Sequence, residues 1–273
     1  MEFNEYAAQA DHRMSLLAGA LLVARDAHPA PDLAEQAARI DELASPLLRL
    51  DLGAFSPGVQ AAAIAEHLYG VCGFQGNASD YYDPRNSFLN DVLDRRLGIP
   101  ISLAIVYVEV ARRCGVTAHG VSFPGHFLVR VEQKSERPLL VDPFHGGAIL
   151  DRENLERVLR SATGSERDLD DSMLRPATVR EILVRMLGNL RAIYASRGQH
   201  SRLLVVIDRI VELVPDAVAE LRDRGLLSAQ LGAPRAAIDD LMRYLRLAPT
   251  AGDVAEVRRL IDRLETAAVR APN

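Results

Sequence analysis

Hydrophobic positions in the first part of the chain follow a helical period. The run "EYAAQADHRMSLLAGALLVARDA", residues 5–27, is rich in Ala and Leu and predicts helix throughout. The proline pair in "HPAPDLAEQ" breaks it and starts a second helix near Asp32. "SPGVQAAAIAEHLYG" repeats the logic, with Ser56 placed to cap and Pro57 in the first turn. The pattern then lapses: "GFQGNASDYYDPR", residues 73–85, is polar, glycine-containing and without helical period. Its three aromatics predict a loop pinned by ring packing. Helix resumes at "NSFLNDVLDRRLG", where Asn86 or Ser87 can cap and Gly98 can stop it.

From Pro100 to Arg113 the apolar residues cover most of the helical circumference, and Glu109 is the only charge before Arg112. Such a helix is expected to be buried on most sides, at the centre of a domain. After Gly115 the period changes to short strand-like runs, "VTAHGVSF", "HFLVRVEQ" and "PLLVDPF", with "KSERP" as the turn between the last two. A central helix feeding a small antiparallel sheet gives an α+β domain over residues 1–165. The polar stretch "SATGSERDLDDS" (161–172) reads as a linker.

The last hundred residues are helical and repetitive. Gly198 and Gly232 are 34 apart, as are Pro215 and Pro249, and Ile193, Ile207 and Leu213 recur at the same offset as Leu227, Leu241 and Leu247. A period of 34 with Gly between two helices and Pro after the second is the tetratricopeptide (TPR) pattern. An all-α tail over 178–273 is therefore expected, two repeats plus a capping helix from Gly252 onward. Because about three repeats are normally needed for independent stability, this tail is expected to draw support from the first domain.

Composition narrows the classes. Hydrophobic residues make up 48 %, enough for a sizeable core, and the net charge of −5 has no basic block, which argues against a nucleic-acid surface. No run approaches the roughly 18 apolar residues needed to span a bilayer, and the N-terminus carries acids where an export signal needs basic residues. Two cysteines, Cys72 and Cys114, suit a reducing compartment. These features predict a cytoplasmic protein without membrane or nucleic-acid contact.

The candidate chemistry begins with His126, at the head of one strand-like run, and Asp142, at the end of the next. If these strands pair, the carboxylate can hold one imidazole nitrogen and leave the other for proton transfer; the bland alternative is an Asp–Pro turn beside a strand-end histidine. A helix entered through Gly98, Arg112-x-x-Gly115 at its end, a strand beginning with His and then Asp142–Pro143 resemble transglutaminase-like proteins. With "GFQGN…DYYDPRNSFLNDVLDRRLGIPISL", "FPGHFLVRV", "VDPFHGG" and the TPR-like tail, the chain is similar to the bacterial SirB family from about residue 30 to 260.

That resemblance implies a papain/transglutaminase-like α+β fold with a Cys/His/Asp triad. His126 and Asp142 match two members. Counting back from Arg112 and Gly115 by the family's helix spacing puts the nucleophile at Pro100, with Ala104 on the usual small position. Proline cannot attack, so the pattern is broken at its reactive position.

Ser102 is the nearest hydroxyl, but two helix positions rotate its side chain by about 200° from that of residue 100. In the first turn it is more naturally a backbone cap. Cys114 lies at the far end of the helix and reads as a buried apolar residue. Cys72 is an unusual nucleophile at best, since nothing in the sequence directs it at His126. His119, His126 and His145 with Asp142 have no compact ligand spacing, so neither a metal nor another cofactor is expected. Tyr81, Tyr82, Asn86, Pro100 and His145 are candidate walls of a binding cleft.

Two functions follow. One is a non-catalytic transglutaminase-like domain with a TPR tail, regulatory in character, binding a protein or peptide through the tail and the vestigial cleft. The other is an acyl-transfer enzyme (a protease, amidase or transglutaminase-like enzyme) using Ser102 or Cys72 with His126 and Asp142. Metal-dependent hydrolysis is a distant third.

Overall fold

The computed structural model describes residues 1–28, 32–133, 137–164 and 168–270, with side chains described as far as residue 267. Contacts divide them into two compact units, Ala10–Met186 and a second formed by Met1–Gln9 with Leu187–Asn273. The proline break at 29–31 and most of the "KSERP" turn (134–136) lie outside the described residues.

The N-terminal run is not one helix. It forms α1 (Phe3–Ala7) and α2 (Leu16–Arg25), separated by a short 3₁₀ turn at Asp11–Arg13. The Ser15 hydroxyl accepts the Ala18 N–H at 3.3 Å and so restarts the helix as α2. Helix α3 (Leu33–Leu48) is capped by Asp32, whose Oδ1 accepts the Ala34 N–H at 2.8 Å. Next comes α4 (Pro57–Ala65), which continues into a π-helical turn at Glu66–Val71.

The aromatic loop holds one piece of regular structure: β1 (Gln75–Gly76) pairs in parallel with β2 (Leu97–Gly98), which follows α5 (Leu89–Arg95). Helix α5 ends on Arg96 in the left-handed region, φ +57°, rather than at Gly98, which β2 takes up.

Helix α6 (Pro100–Arg113) is the centre of this unit. It packs against α2, α3, α4 and α5 on one side and against β3 (Ala118–Val121) and β4 (Leu128–Val131) on the other. The near-continuous apolar run is the cause, since a helix with partners all round has no polar face to spend on solvent. Glu109 is the exception that needs partners: it is buried, held by Arg113 Nη1 at 2.7 Å and Arg112 Nη2 at 3.0 Å. The Tyr107 hydroxyl ties α6 to α4 by donating to the Ala61 carbonyl at 3.1 Å.

The sheet is an antiparallel meander in the order β3-β4-β5-β6, with β5 (Leu139–Asp142) and β6 (Ala148–Leu150). The fourth strand was not anticipated, because three residues after two glycines carry too short an alternation to register. Helix α7 (Arg152–Thr163) then packs Leu155 and Leu159 against Val121, Phe123, Leu128 and Leu140. Leu169 joins that cluster, so the polar stretch read as a linker contributes to the core of this unit; residues 165–167 within it lie outside the described residues.

The tail is made of α8 (Val179–Ser196), α9 (His200–Leu213), α10 (Val218–Gln230), α11 (Pro234–Leu247) and α12 (Val254–Arg270). Shifting α9 by 34 residues gives 234–247, the bounds of α11, and shifting the end of α8 gives 230, the end of α10. Gly198 and Gly232 both take positive φ just beyond those helix ends, the conformation that lets the chain reverse there. Ile207, Val211, Leu221, Leu241, Tyr244 and Val257 form the core of the tail. Helix α1 belongs to the same unit and packs on α9, with the Arg209 guanidinium 4.9 Å from the centre of the Phe3 ring.

Candidate functional site

Strand pairing builds the site. The register Val129↔Val141 between β4 and β5, continued by one step, sets Asp142 opposite Leu128. His126, in the turn two residues before Leu128, then reaches the end of β5. Its Nε2 lies 2.9 Å from Asp142 Oδ1. Gly125 makes the turn possible: it sits at φ +68°, and a Cβ there would come within 2.2 Å of the Ala162 side chain on α7.

A second imidazole completes the group. His145 Nδ1 lies 2.8 Å from Asp142 Oδ2, so one carboxylate bridges two histidines. The carboxylate is also fixed by the backbone: Oδ1 accepts the N–H of Phe144 at 2.9 Å and of His145 at 3.3 Å, an Asx turn set by the sequence Asp-Pro-Phe-His. Asp142 is buried and His126 nearly so, whereas His145 is 68 % exposed. Burial alone would raise the Asp142 carboxyl; the neighbouring His126 and then His145 outweigh it and bring it down to about 2. Asp142 is therefore ionised across the neutral range.

Spacing gave His126 and His145 no common site. The fold gathers them because the β5–β6 turn folds back over the end of β5, and His119, on β3, is not part of the group. Tyr69 is a residue the sequence did not single out. Its hydroxyl is buried without a hydrogen-bond partner, and burial, Tyr107 and the Asp142 charge all raise its phenol. Gly147, at φ +75°, packs against Ala65 and that Tyr69 ring, where a Cβ would come within 2.5 and 2.7 Å. The glycines of "PFHGG" thus include one that permits close packing of the chain on itself.

The other candidates occupy distinct settings. Tyr81 sets its ring edge-on to Phe144, 5.9 Å between centres, and Phe144 in turn lies 5.2 Å from the His145 ring. Tyr81 therefore walls the group, while Tyr82 is largely exposed and touches Tyr81. Asn86 is fully buried. Its amide donates to the carbonyls of Asp80 (2.7 Å) and Tyr81 (3.2 Å) and its oxygen accepts from Asn77 Nδ2 (3.0 Å), so it holds the aromatic loop and offers nothing to a ligand.

Pro100 opens α6 and is buried. Ser102 is fully buried as well; its Oγ donates to the Asn86 carbonyl at 2.6 Å and accepts the Ile99 N–H at 3.1 Å. This hydroxyl joins the helix start to the aromatic loop, and no hydrogen bond links it to His126. Cys72 Sγ lies 3.5 Å from His67 Nε2, not beside His126, in a cavity of about 280 Å³ that Arg39 and Arg96 also line. His67 Nε2 is also 2.8 Å from the Leu43 carbonyl, which can only accept, so that nitrogen carries its proton and cannot take one from the thiol. Cys114 is buried, and burial raises its thiol.

A paired His and Asp at the end of a small sheet can hold and move a proton, and sequence comparisons place the fold that carries them. Residues 32–188 match the model of the transglutaminase-like superfamily, and residues 190–262 match a tetratricopeptide repeat. The chain belongs to the transglutaminase-like superfamily. Within it the chain is 43 % identical to a UPF0162 protein of Xylella fastidiosa strain Temecula1, over 95 % of this chain and 94 % of that one, and so falls in the UPF0162 group. A UPF0162 protein of Pseudomonas aeruginosa is 34 % identical over 92 % of this chain and 90 % of its own length. The likeness extends to F-box only protein 21 of Mus musculus, 32 % identical over 62 % of this chain but only 28 % of that protein. No solved structure matches. In this transglutaminase-like chain His126 and Asp142 meet at one end of the β4–β5 pair, and the central helix α6 begins with Pro100.

Proposed function

We propose that this is a SirB-type protein whose transglutaminase-like cleft binds rather than cleaves, and which acts in the cytoplasm by holding a protein or peptide partner in a regulatory role. One observation carries the reading: at the start of α6, where the superfamily's attacking group is expected, there is Pro100, and the nearest hydroxyl, Ser102, is buried and spent on backbone groups. A serine in that setting would have to break two hydrogen bonds before it met a base. The TPR match supports protein contact as the mode of action, and Val205, Leu231, Met242 and Leu247 give the tail exposed apolar side chains for it. Among the described residues no helix is long and apolar enough to cross a membrane.

The test is a transamidation and peptide-hydrolysis assay on the full chain, run beside affinity capture. Turnover should not exceed that of His126→Ala, and the partner captured by the unaltered chain should also be captured by His126→Ala but not by Met242→Glu/Leu247→Glu. Turnover abolished by His126→Ala would overturn the reading in favour of an acyl-transfer enzyme.

A further inference from the structure

We propose that His126, Asp142 and His145 form a binding site for a single divalent transition-metal ion, with zinc the best fit. The three side chains each offer one ligand atom, and these atoms all lie within 4.8 Å of one another. Two imidazole nitrogens and one carboxylate oxygen are the donor set that zinc takes in open, three-ligand sites, at about 2.0–2.2 Å from each donor. The hard oxygen cages preferred by calcium and magnesium have no counterpart here.

Three features separate this group from an ordinary ion-paired histidine. First, His126 Nε2 is buried and close to Asp142 Oδ1, yet its direction does not complete a hydrogen bond, which leaves a buried ring nitrogen without an aligned partner. A metal ion seated among the three groups satisfies that nitrogen directly. Second, the carboxylate is already oriented by the N–H groups of Phe144 and His145, the outer support that metal-ligating carboxylates require. Third, the Tyr69 ring packs against Gly147, two residues beyond His145, and its buried hydroxyl also lacks a partner. The exposed His145 ring puts one side of the group at the solvent, so an ion can reach it without crossing the core. Binding of the ion does not depend on whether the cleft retains a nucleophile, and so stands apart from the partner-binding reading.

The experiment uses the full chain free of any histidine tag, stripped of metal and titrated with Co²⁺ and then Zn²⁺. The readouts are visible Co²⁺ absorption and stoichiometry by calorimetry. One ion per chain is expected for the unaltered protein and for the control His119→Ala. His145→Ala, which removes an exposed ring and leaves the fold intact, should weaken binding by at least about 100-fold, more than loss of an outer-shell partner does. Asp142→Asn should do the same, with circular dichroism reporting its folding. Absence of stoichiometric binding to the unaltered chain, undiminished binding by His145→Ala, or loss of the ion in Cys72→Ala but not in His145→Ala would each overturn the proposal. None of those results bears on partner capture, so the two readings fail separately.

Discussion

The helical tail and the His/Asp group are organised by different distances along the chain. From α9 to α12 each helix packs on its sequence neighbours, α10 on α9 and α11, and α11 on α12. Its architecture is written in a 34-residue repeat, and a reader of the sequence sees it at once. The site draws Tyr69, Tyr81, His126, Asp142 and His145 from four separate segments, and no period connects them. Local repetition makes a structure legible; convergence of distant residues does not, because nothing in one segment marks which other segment it will meet.

Substitutions can break or sharpen that contrast. The largest effect is expected for Leu241→Ala, which empties a fully buried position in the tail core. It should cost about 2–5 kcal/mol, read by chemical denaturation, and hydrogen exchange should show the lost protection in α10, α11 and α12. Unchanged protection there would mean that the tail is not the nearest-neighbour stack described above.

Ser102→Ala comes next. It leaves the Ile99 N–H and one interaction of the Asn86 carbonyl unmet inside the core, at about 1–3 kcal/mol. Because this hydroxyl joins α6 to the aromatic loop, exchange should rise in residues 77–86 as well as at the helix start. A variant of native stability that had lost an enzymatic activity would reverse the assignment of Ser102 from structure to chemistry.

Asp83 offers a pH test of the same loop. Its burial would raise the carboxyl, but hydrogen bonds from Arg85 and the charges of Arg85 and Arg95 outweigh that and hold it below the usual carboxylate range. A lowered folded-state value means that the ionised form favours folding. The contribution is therefore complete above the unfolded value near about 4 and is lost as pH falls through the lower, folded one. Asp83→Asn should be less stable than the unaltered chain at neutral pH, by about 1 kcal/mol, and the gap should close on acidification. The smallest change is expected for Tyr82→Ser, within about 0.5 kcal/mol, because that ring is 68 % exposed and meets Tyr81 edge-on.

The sequence by itself determined the α+β class, the buried central helix Pro100–Arg113, the TPR tail and the placing of His126 and Asp142 at neighbouring strand ends. Each of these follows from a period, a turn residue or a compound motif contained in one stretch of chain. The break between α1 and α2 and the strand β6 escaped it, since Ala/Leu content masks a cap at Ser15 and three residues are too few to show alternation. Ser102 was also legible as a first-turn cap, and its bond to the Ile99 N–H agrees with that. Only the tertiary structure decided that His145 shares Asp142 with His126, that the Tyr69 ring packs on Gly147 with its hydroxyl buried, and that Asn86 faces inward on the protein's own backbone. The physical reason is that a side chain's direction and partners are set by packing between segments, where burial leaves each polar group either paired within the fold or free for a ligand.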